Sequence, residues 1–349
     1  MNNNSFFSTE ILRWFRENGR DLPWRETRDP YAIWLSEIIL QQTRIAQGWE
    51  YWERFVQTYP KVEDLAAASE DDVLKLWQGL GYYSRARNLH TAAKQIVALG
   101  AFPNTLEGIK SLKGVGDYTA AAIGSFAFDI PAAVVDGNVY RVLSRYFGID
   151  TPINSTQGKK EFAALAHSLL PASDAASYNQ GMMDFGAIQC TPQSPKCLLC
   201  PLAETCEALR CGRVEELPIK NKTVKVKTRH LSYIYIRCKS LAADDTGISE
   251  PMVAIHRRGE GDIWQGLWEP YNVSDVKELP SFVKNPILLA KDVKHVLTHR
   301  ILLADFYLLE TESRPQLPDD YIWIRESEIE DYGVPRLIEI MLEKINPVE

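Results

Sequence analysis

Residues 111–145 read SLKGVGDYTAAAIGSFAFDIPAAVVDGNVYRVLSR: a glycine turn, an alanine-rich run, a second apolar run and then the carboxylate Asp136. Gly114 and Gly116 flank one apolar residue, so the backbone can turn sharply there and present bare amide N–H groups. The following TAAAIGSFAF is rich in helix formers, which places the turn at a helix N-terminus, where an anion such as phosphate is favoured. A G-x-G turn alone also fits an ordinary connection between two helices.

The composition is that of a globular protein. The chain has 349 residues, 45% of them hydrophobic and 24% charged, which is enough for two domains. No apolar run approaches the ~20 residues of a membrane span, and the start lacks a basic segment followed by an apolar one. We therefore expect a protein of the reducing cytoplasm with no membrane partner.

Charge is distributed unevenly. The formal net charge of −7 counts against a nucleic-acid partner if the charge is treated as uniform. Between Arg213 and Arg229, however, six Lys or Arg stand against two Glu, whereas from His230 onward 13 basic residues stand against 21 acidic ones. The acidic total therefore does not exclude a local basic groove.

Helical periodicity dominates the first two-thirds of the chain. Residues 8–18 and 32–59 predict amphipathic helices, and residues 64–100 and 138–183 continue the pattern without an alternating strand signal. Residues 18–31 contain Gly, two Pro and several charges, so they predict a loop. The repeated helix–glycine–helix joints predict a helical bundle with a cleft.

Glu37 is the carboxylate in the densest apolar part of the second predicted helix. Ile33 and Trp34 precede it at helical spacing, and Ile38 and Leu40 follow it. A glutamate on a helix is commonly solvated, but these neighbours predict a partly buried carboxyl that holds its proton.

A second glycine turn lies in QGLGYYSRARNL, residues 78–89. Its two glycines permit a tight turn from which Leu80 and Tyr82 would protrude, with Arg85 and Arg87 just behind. Such tips beside arginines suit a wedge between DNA bases, with the arginines on phosphates. The same pattern also fits a turn between helices with solvated arginines.

Four cysteines with the spacing C-x6-C-x2-C-x5-C carry the strongest chemical signal: Cys190, Cys197, Cys200 and Cys206. In a reducing compartment, disulfides are not expected. Four thiolates can bind zinc or hold a [4Fe–4S] cluster, and the residues alone do not choose between these.

The character of the sequence changes after Cys211. Residues 213–229 carry basic runs without a helical or strand period and predict a basic connector between domains. From residue 230 onward, several alternating stretches predict strands and VPRLIEIMLEKI predicts a closing helix. The predicted organisation is a helical region over 1–212, the connector, and an α+β domain over 230–349.

Five motifs in this order resemble the helix-hairpin-helix base-excision glycosylases related to endonuclease III. They are LPWR (22–25), LSEIILQQT (35–43), GVGDYTA (114–120), VDGNV (135–139) and the cysteine loop. The first two resemble the MutY-type adenine DNA glycosylases in particular. The resemblance implies a bacterial, nucleoid-associated monomer with an all-helical catalytic region, in which the four cysteines hold a [4Fe–4S] cluster. Its substrate would be double-stranded DNA with adenine opposite 8-oxoguanine or guanine.

Two carboxyls support that chemistry. Breaking an N-glycosidic bond needs a proton for the leaving base and negative charge near the oxocarbenium-like sugar. Glu37 is expected to have a raised pKa and to donate the proton. Asp136 precedes a helix that begins near Asn138, so the helix N-terminus is expected to favour its ionised form. The resemblance assigns matching positions the same roles, with Asn138 placing the water.

Tyr118 stands where related enzymes that also cut the DNA strand have a lysine. That lysine forms a Schiff base with the sugar. The substitution predicts a monofunctional glycosylase without strong β-lyase activity.

The resemblance also implies DNA contacts. Gln42 would insert into the duplex beside the orphan base, supported by Thr43 and Leu80, with Tyr82 as the wedge. The glycines at 114 and 116 would hold a DNA phosphate through a monovalent cation, Na⁺ or K⁺.

The same family suggests the walls of a pocket for the flipped adenine. Leu22, Trp24, Arg25 and Asp184 would line it, because a flipped base needs apolar walls and a few polar contacts. Asp184 also fits a helix N-cap or a solvated helix face.

The C-terminal domain resembles the MutT-like, Nudix-related domain of adenine glycosylases. No R-E-x-x-E-E metal box follows GLWEP (266–270), so pyrophosphate hydrolysis is not expected. In the family a Phe-Ser-His loop reads 8-oxoguanine, and the matching residues are Leu297, Thr298 and His299. Leu in place of Phe predicts weaker stacking, whereas the hydroxyl and imidazole can sense the N7 hydrogen and O8. An ordinary turn between strands is the alternative.

Two rival functions fit part of the sequence. An endonuclease III-like glycosylase and lyase for oxidised pyrimidines shares the glycine turn and the cysteine loop, but Tyr118 and the extra domain disfavour it. A non-catalytic iron–sulfur or zinc protein that binds DNA is disfavoured by the pair of Glu37 and Asp136.

Overall fold

The computed structural model describes residues 3–221, 226–239, 250–273, 280 and 282–346. The chain divides into two compact units: Met1–Ala66 with Thr91–Lys222, and Ala67–His90 with Thr223–Glu349. The first unit is helical, whereas the second is built on a β-sheet. The predicted fold class, a helical region followed by an α+β domain, is confirmed.

The described residues form thirteen α-helices. These are α1 (Asn3–Asn18), α2 (Pro30–Ile39), α3 (Ile45–Thr58), α4 (Val62–Ala67), α5 (Glu70–Leu76), α6 (Ser84–Leu99), α7 (Leu106–Lys110), α8 (Asp117–Phe128), α9 (Gly137–Phe147), α10 (Thr156–Leu169), α11 (Ala175–Asp184), α12 (Glu207–Arg210) and α13 (Arg336–Ile345). Within the described ranges, no helix is both long enough and apolar enough to cross a bilayer.

Side-chain caps fix several helix starts. The side chains of Asp29, Ser69, Thr105, Asp136 and Ser155 each accept an amide N–H from the first turn of the helix that follows. Each cap satisfies a donor that the helix itself leaves unpaired. The polar residue before an apolar run therefore sets where that helix begins.

The helix predicted over residues 32–59 is two helices. Helix α2 ends at Ile39 and α3 begins at Ile45, and the turn between them holds Gln42 in the left-handed region with φ 62°. Apolar side chains continue on both sides of this turn, so periodicity alone did not reveal it. The turn leaves Gln42 exposed beside Thr43.

An apolar core of the first unit lies among α1, α9, α10 and α11. Phe7, Leu143 and Phe162 are completely buried in it, and three of the four cysteines of the loop pack against it. Burial of side chains of this size contributes ~1.5–3 kcal/mol each. This core fixes helix α9, whose N-terminus carries Asp136.

The second unit contains a mixed sheet. Its described strands are β1 (Lys227–Cys238), β2 (Met252–Arg257), β3 (Trp268–Glu269), β4 (Tyr271–Val273), β5 (Ile287–Val296), β6 (Arg300–Thr311) and β7 (Tyr321–Arg325). The order is β3-β2-β1-β6-β5, with β4 also paired to β1 and β7 to β2. Strands β1 and β6 are parallel along their length, whereas the other pairs are antiparallel. Leu337 and Met341 of α13 pack on Tyr233 and Phe306 of the sheet.

Residues 213–229, which were predicted to form a connector, are partly buried at one end and belong to a strand at the other. Leu217 is buried, and its carbonyl accepts a hydrogen bond of 3.0 Å from the buried guanidinium of Arg145. Residues 222–225 lie outside the described residues, and β1 begins at Lys227. The role of this segment as a connector between domains stays a prediction.

Candidate active site

Glu37 is buried in the first unit. Helix α2 buries nearly every side chain it has, and the Glu37 residue is only 7% exposed. Burial raises the pKa of Glu37 to about 7, the hydrogen bond from Tyr118 opposes this rise, and the charge of Asp136 adds to it. The carboxyl therefore keeps its proton to a much higher pH than an ordinary glutamate does.

Tyr118 holds that carboxyl. It lies in the first turn of α8, and its hydroxyl donates to Glu37 Oε2 at 2.8 Å. Burial raises the pKa of Tyr118 well above its usual value, so the phenol keeps the proton that it donates.

The glycine turn before α8 has the predicted conformation. Gly114 has φ 80°, a left-handed conformation that favours glycine, and Gly116 is the N-cap residue of α8. A Cβ built on Gly116 would meet nothing within 4 Å. Space therefore remains beside the Gly116 backbone.

Asp136 caps helix α9. Its Oδ1 accepts the Val139 amide N–H at 2.7 Å, and its Oδ2 accepts the Asn138 side-chain amide at 2.7 Å. The helix N-terminus favours the ionised form of Asp136, as expected, but the sequence did not reveal the opposing effect of burial. Burial raises the pKa of Asp136 above its usual value, and the hydrogen bonds from Val139 and Asn138 offset only part of that rise.

Arg141 is a site residue that the sequence reasoning missed. It is buried, and its guanidinium donates to Asn138 Oδ1 at 2.8 Å and to the carbonyl oxygens of Gly186 and Cys190 at 2.6 and 2.8 Å. Arg141 therefore orients the amide that holds Asp136. Its spacing of three residues from Asn138 on one helix face was the available signal.

Asp184 is not solvated, and although it precedes the helical turn Phe185–Gln189, its side chain does not cap that turn. It ends α11, is completely buried, and accepts hydrogen bonds from Arg25 at 2.8 and 2.9 Å and from the Arg20 backbone at 2.9 Å. Burial alone would raise the pKa of Asp184, but the two arginines lower it below its usual value. Leu22 and Trp24, on the same segment, are buried.

The four cysteines surround one cavity. Cys190, Cys197, Cys200 and Cys206 all line it, around about 330 Å³ of empty space that reaches the adjoining solvent. Arg145, which is buried, lies 3.5 Å from Cys190 Sγ and also donates to the carbonyl of Thr191 at 2.7 Å. Burial raises the pKa of the Cys197 thiol above its usual value, and the Arg145 guanidinium opposes part of that rise.

This arrangement fits a cluster better than a single ion. Among the described residues, no three Cys, His, Asp or Glu side chains converge closely enough to hold one metal ion. The thiols instead line a space, as ligands of a multi-atom iron–sulfur cluster do. Such a cluster, when bound, would tie the loop together through its four thiolates.

In the second unit, the turn after α5 only partly matches its prediction. Leu80 is buried, so the expectation that it protrudes is wrong, because the turn packs its apolar side inward. Tyr82 is 49% exposed with φ 48°. Arg85 donates to the Leu80 carbonyl at 3.3 Å, and Arg87 donates to the Gln265 carbonyl at 2.6 Å.

The 297–299 turn joins β5 to β6. Leu297 is half-buried against the core of the second unit, whereas Thr298 and His299 are exposed. The hydroxyl of Thr298 is hydrogen-bonded to the hydroxyl of Tyr82. Two residues predicted to contact DNA therefore meet within this unit.

Three family descriptions match successive parts of the chain. "HhH-GPD superfamily base excision DNA repair protein" matches residues 35–171, "Iron-sulfur binding domain of endonuclease III" matches residues 190–206, and "NUDIX domain" matches residues 248–344.

A full-length relative determines the family. The adenine DNA glycosylase of Buchnera aphidicola subsp. Schizaphis graminum (strain Sg) is 30% identical, over 97% of this chain and 98% of the relative. This chain belongs to the adenine DNA glycosylase family. The mouse adenine DNA glycosylase is 42% identical, over 61% of this chain and 44% of its own length. A solved thermostable thymine-DNA glycosylase is 34% identical, with a TM-score of 0.56, and the match covers 60% of this chain and 97% of that one.

Membership in this family confirms the predicted class of enzyme. The protein is a DNA glycosylase, a hydrolase of base excision repair. The match at residues 190–206 supports an iron–sulfur cluster on the four cysteines.

Replacing Cys206 by serine is expected to abolish visible absorption near ~400 nm in anaerobically purified protein and to lower the Tm, because three thiolates do not hold the cluster fully. Cys211→Ser is the matched control, since Cys211 is exposed and does not line the cavity. Absorption and Tm measured on both variants check this. Equal loss in the two variants would contradict the ligand assignment.

Proposed function

We propose that this protein is a monofunctional glycosylase that removes adenine from double-stranded DNA where the base stands opposite 8-oxoguanine or guanine. The observation that carries the proposal is the buried Glu37 carboxyl with a pKa of about 7, held by Tyr118 and within electrostatic reach of Asp136. A carboxyl of raised pKa beside a second carboxyl suits cleavage of a glycosidic bond. The named relatives point to adenine as the base.

In the proposed reaction, Glu37 gives its proton to the adenine ring while the bond between sugar C1′ and adenine N9 breaks. The electron pair of that bond leaves with the base, and the sugar becomes oxocarbenium-like. Asp136 stabilises the positive charge or adds to C1′ as a nucleophile. Water then attacks C1′ and gives a proton to the Glu37 carboxylate. If Asp136 has formed a bond to C1′, that bond breaks in this step and Asp136 leaves as a carboxylate. The product is an abasic sugar.

The monofunctional character rests on Tyr118. A phenol cannot form a Schiff base with the sugar, and here its hydroxyl is engaged by Glu37. The DNA strand therefore stays intact until alkali breaks it at the abasic sugar.

Other residues of the first unit supply the proposed DNA contacts. Gln42, exposed on its left-handed turn, inserts beside the orphan base next to Thr43. The backbone around Gly114 and Gly116 holds a DNA phosphate, with a Na⁺ or K⁺ ion between backbone oxygens and the phosphate. The walls of the adenine pocket are formed by Leu22, Trp24 and Arg25. Asp184 holds the Arg25 guanidinium in place. The protein acts as a monomer.

One assay tests the proposal. Duplexes contain A opposite 8-oxoguanine, A opposite G, T opposite G, or thymine glycol, and each reaction is developed with and without alkali. We expect strand scission only at adenine and only after alkali. Thymine release would favour the activity named for the similar solved structure. A borohydride-trapped adduct that forms as efficiently as turnover would contradict the monofunctional mechanism.

Thr298→Ala combined with His299→Ala is expected to reduce the preference for 8-oxoguanine over guanine by about tenfold or more, because each lost polar contact is worth ~1–3 kcal/mol. The measurement is the ratio of single-turnover rates on the two adenine duplexes. Thr228→Ala with His230→Ala is the matched control, since both side chains are exposed on β1. An unchanged ratio in the first variant would show that the turn does not read the lesion.

A further inference from the structure

The loop that joins β2 to β3, here called the 258–266 loop, contacts both segments of the second unit that carry proposed DNA-reading residues. It is closed by two backbone hydrogen bonds, from Gly266 to the Arg258 carbonyl at 2.9 Å and from Arg258 to the Leu267 carbonyl at 2.8 Å. Trp264 in this loop has φ 61°, which is rare for a bulky residue. A conformation of this kind persists only when surrounding contacts hold it.

Asp262 is the centre of the loop's polar contacts. Its carboxylate accepts two hydrogen bonds of 2.7 Å from Arg229, one of 2.8 Å from Arg258 and one of 3.3 Å from Arg300. The Ile263 amide adds a bond of 2.8 Å. One carboxylate therefore joins three guanidinium groups from β1, the loop and β6.

These contacts reach the 297–299 turn on both of its flanks. Arg300 follows His299 directly, and its carbonyl accepts the Leu297 amide at 2.8 Å, which closes the turn. On the β5 side, the Trp264 ring lies 5.8 Å from the His295 ring. The 258–266 loop thus contacts β5 and β6 on the two sides of the turn.

The same loop also contacts the segment that carries Tyr82. Arg87 donates to the Gln265 carbonyl at 2.6 Å, and Tyr82 is hydrogen-bonded to Thr298. Contacts therefore run from the Tyr82 segment through the 258–266 loop to the turn, and from the turn back to Tyr82. In the described part of the chain, Asp262 is the only carboxylate that forms ion pairs with Arg229 and Arg300.

We propose that Asp262 is a positioning residue for lesion specificity. It holds the 297–299 turn in a fixed position relative to Tyr82, so that the enzyme distinguishes 8-oxoguanine from guanine. This inference rests on the proposed reading role of Thr298 and His299. When Asp262 is neutralised, the three guanidinium groups stay close to one another. The one carboxylate that remains among these contacts is Glu269, which is bonded to Arg258. Repulsion among the three guanidinium groups moves Arg300, and the adjoining turn moves with it.

The test is the ratio of single-turnover rates on A opposite 8-oxoguanine and A opposite G, at substrate concentrations that separate binding from the rate of excision. Asp262→Asn is expected to lower this ratio about tenfold, the effect of one lost polar contact. Asp262→Glu keeps the charge and is expected to restore most of the ratio, and Asp319→Asn, an exposed carboxylate, serves as the matched control. A normal ratio in Asp262→Asn would overturn the proposal.

Two further measurements separate the causes of failure. If both Asp262→Asn and the Thr298 and His299 double variant keep the wild-type ratio of rates, the reading role of the turn is wrong. If Asp262→Asn keeps that ratio and the double variant loses it, only the positioning role of Asp262 is wrong. Combining Asp262→Asn with Arg300→Gln is expected to lower the ratio by less than the product of the single effects, because the two residues act through one contact. If the two single effects on the ratio multiply fully in the double variant, the proposed contact between Asp262 and Arg300 does not carry the effect. A ratio that falls equally in Asp262→Glu and Asp262→Asn would mark a general packing defect and also overturn the proposal.

Discussion

Replacement of Glu37 by glutamine is expected to slow adenine excision by ~10²–10⁴-fold, the usual contribution of a general acid. Glutamine has nearly the same shape and its amide oxygen can still accept the Tyr118 hydroxyl, but it has no proton of suitable acidity for the leaving base. Binding of the mispaired duplex should change little. Single-turnover excision and a DNA-binding titration measure the two effects separately.

Glu50→Gln is the matched control for this variant, because Glu50 is an exposed glutamate on the neighbouring helix α3. It is expected to excise adenine at the wild-type rate. Glu37→Gln protein that retained a tenth or more of the wild-type rate would remove Glu37 from the role of acid.

The pH dependence of excision should report the same carboxyl. Since the reaction uses protonated Glu37, whose pKa is about 7, the single-turnover rate should fall about tenfold per pH unit well above pH 7. The Glu37→Gln residual rate should lack this decline. A wild-type rate that rose through pH 7–9 would contradict the assignment.

The same shift makes Glu37 a pH-dependent element of stability. Its pKa is raised from 4.5 to about 7 in the folded protein, so its contribution is fully present below pH 4.5 and is lost as pH rises through 7. At pH 8 the Glu37→Gln variant should therefore exceed the wild type in free energy of unfolding by up to ~3 kcal/mol. Urea unfolding at pH 5 and pH 8 measures this difference.

Asp136→Asn is the second change with a large expected effect, a loss of ~10²–10³-fold in excision rate, as for the removal of one group that stabilises transition-state charge. Asparagine is as good an N-cap as aspartate, so α9 should keep its start, although the hydrogen bond from the Asn138 side chain to Oδ2 is lost. The rate loss would then report the missing negative charge and not a damaged helix.

Two variants complete the Asp136 experiment. Asp29→Asn replaces the aspartate that caps α2 and should leave the rate unchanged, which controls for the chemistry of an N-cap. Asp136→Ala removes both cap and charge, and should also lower the free energy of unfolding by ~1 kcal/mol. Wild-type activity in Asp136→Asn would show that the carboxylate is not needed.

Local patterns were sufficient for much of the helical unit and for the sheet. The helical spacing of apolar residues marks α1 and α2, and the alternating stretch HLSYIYIRC marks β1, because helix and strand side chains repeat with different periods. The turn at Gln42 escaped prediction since apolar residues lie at helical spacing on both sides of it. The exposure of Leu80 was wrong because burial depends on the surface that packs against the turn.

The sequence by itself determined the chemical inventory of this protein: an acid in an apolar helix, a carboxylate before a second helix, tyrosine in place of lysine, and four spaced thiols. Each of these groups lies in one short stretch of sequence, and the neighbouring residues in that stretch are enough to predict it. Only the tertiary structure decided how these groups act on one another. Tyr118 and Glu37 are 81 residues apart yet hydrogen-bonded, and burial outweighs the helix N-terminus at Asp136. Desolvation is set by everything that packs around a group, so no local pattern contains it.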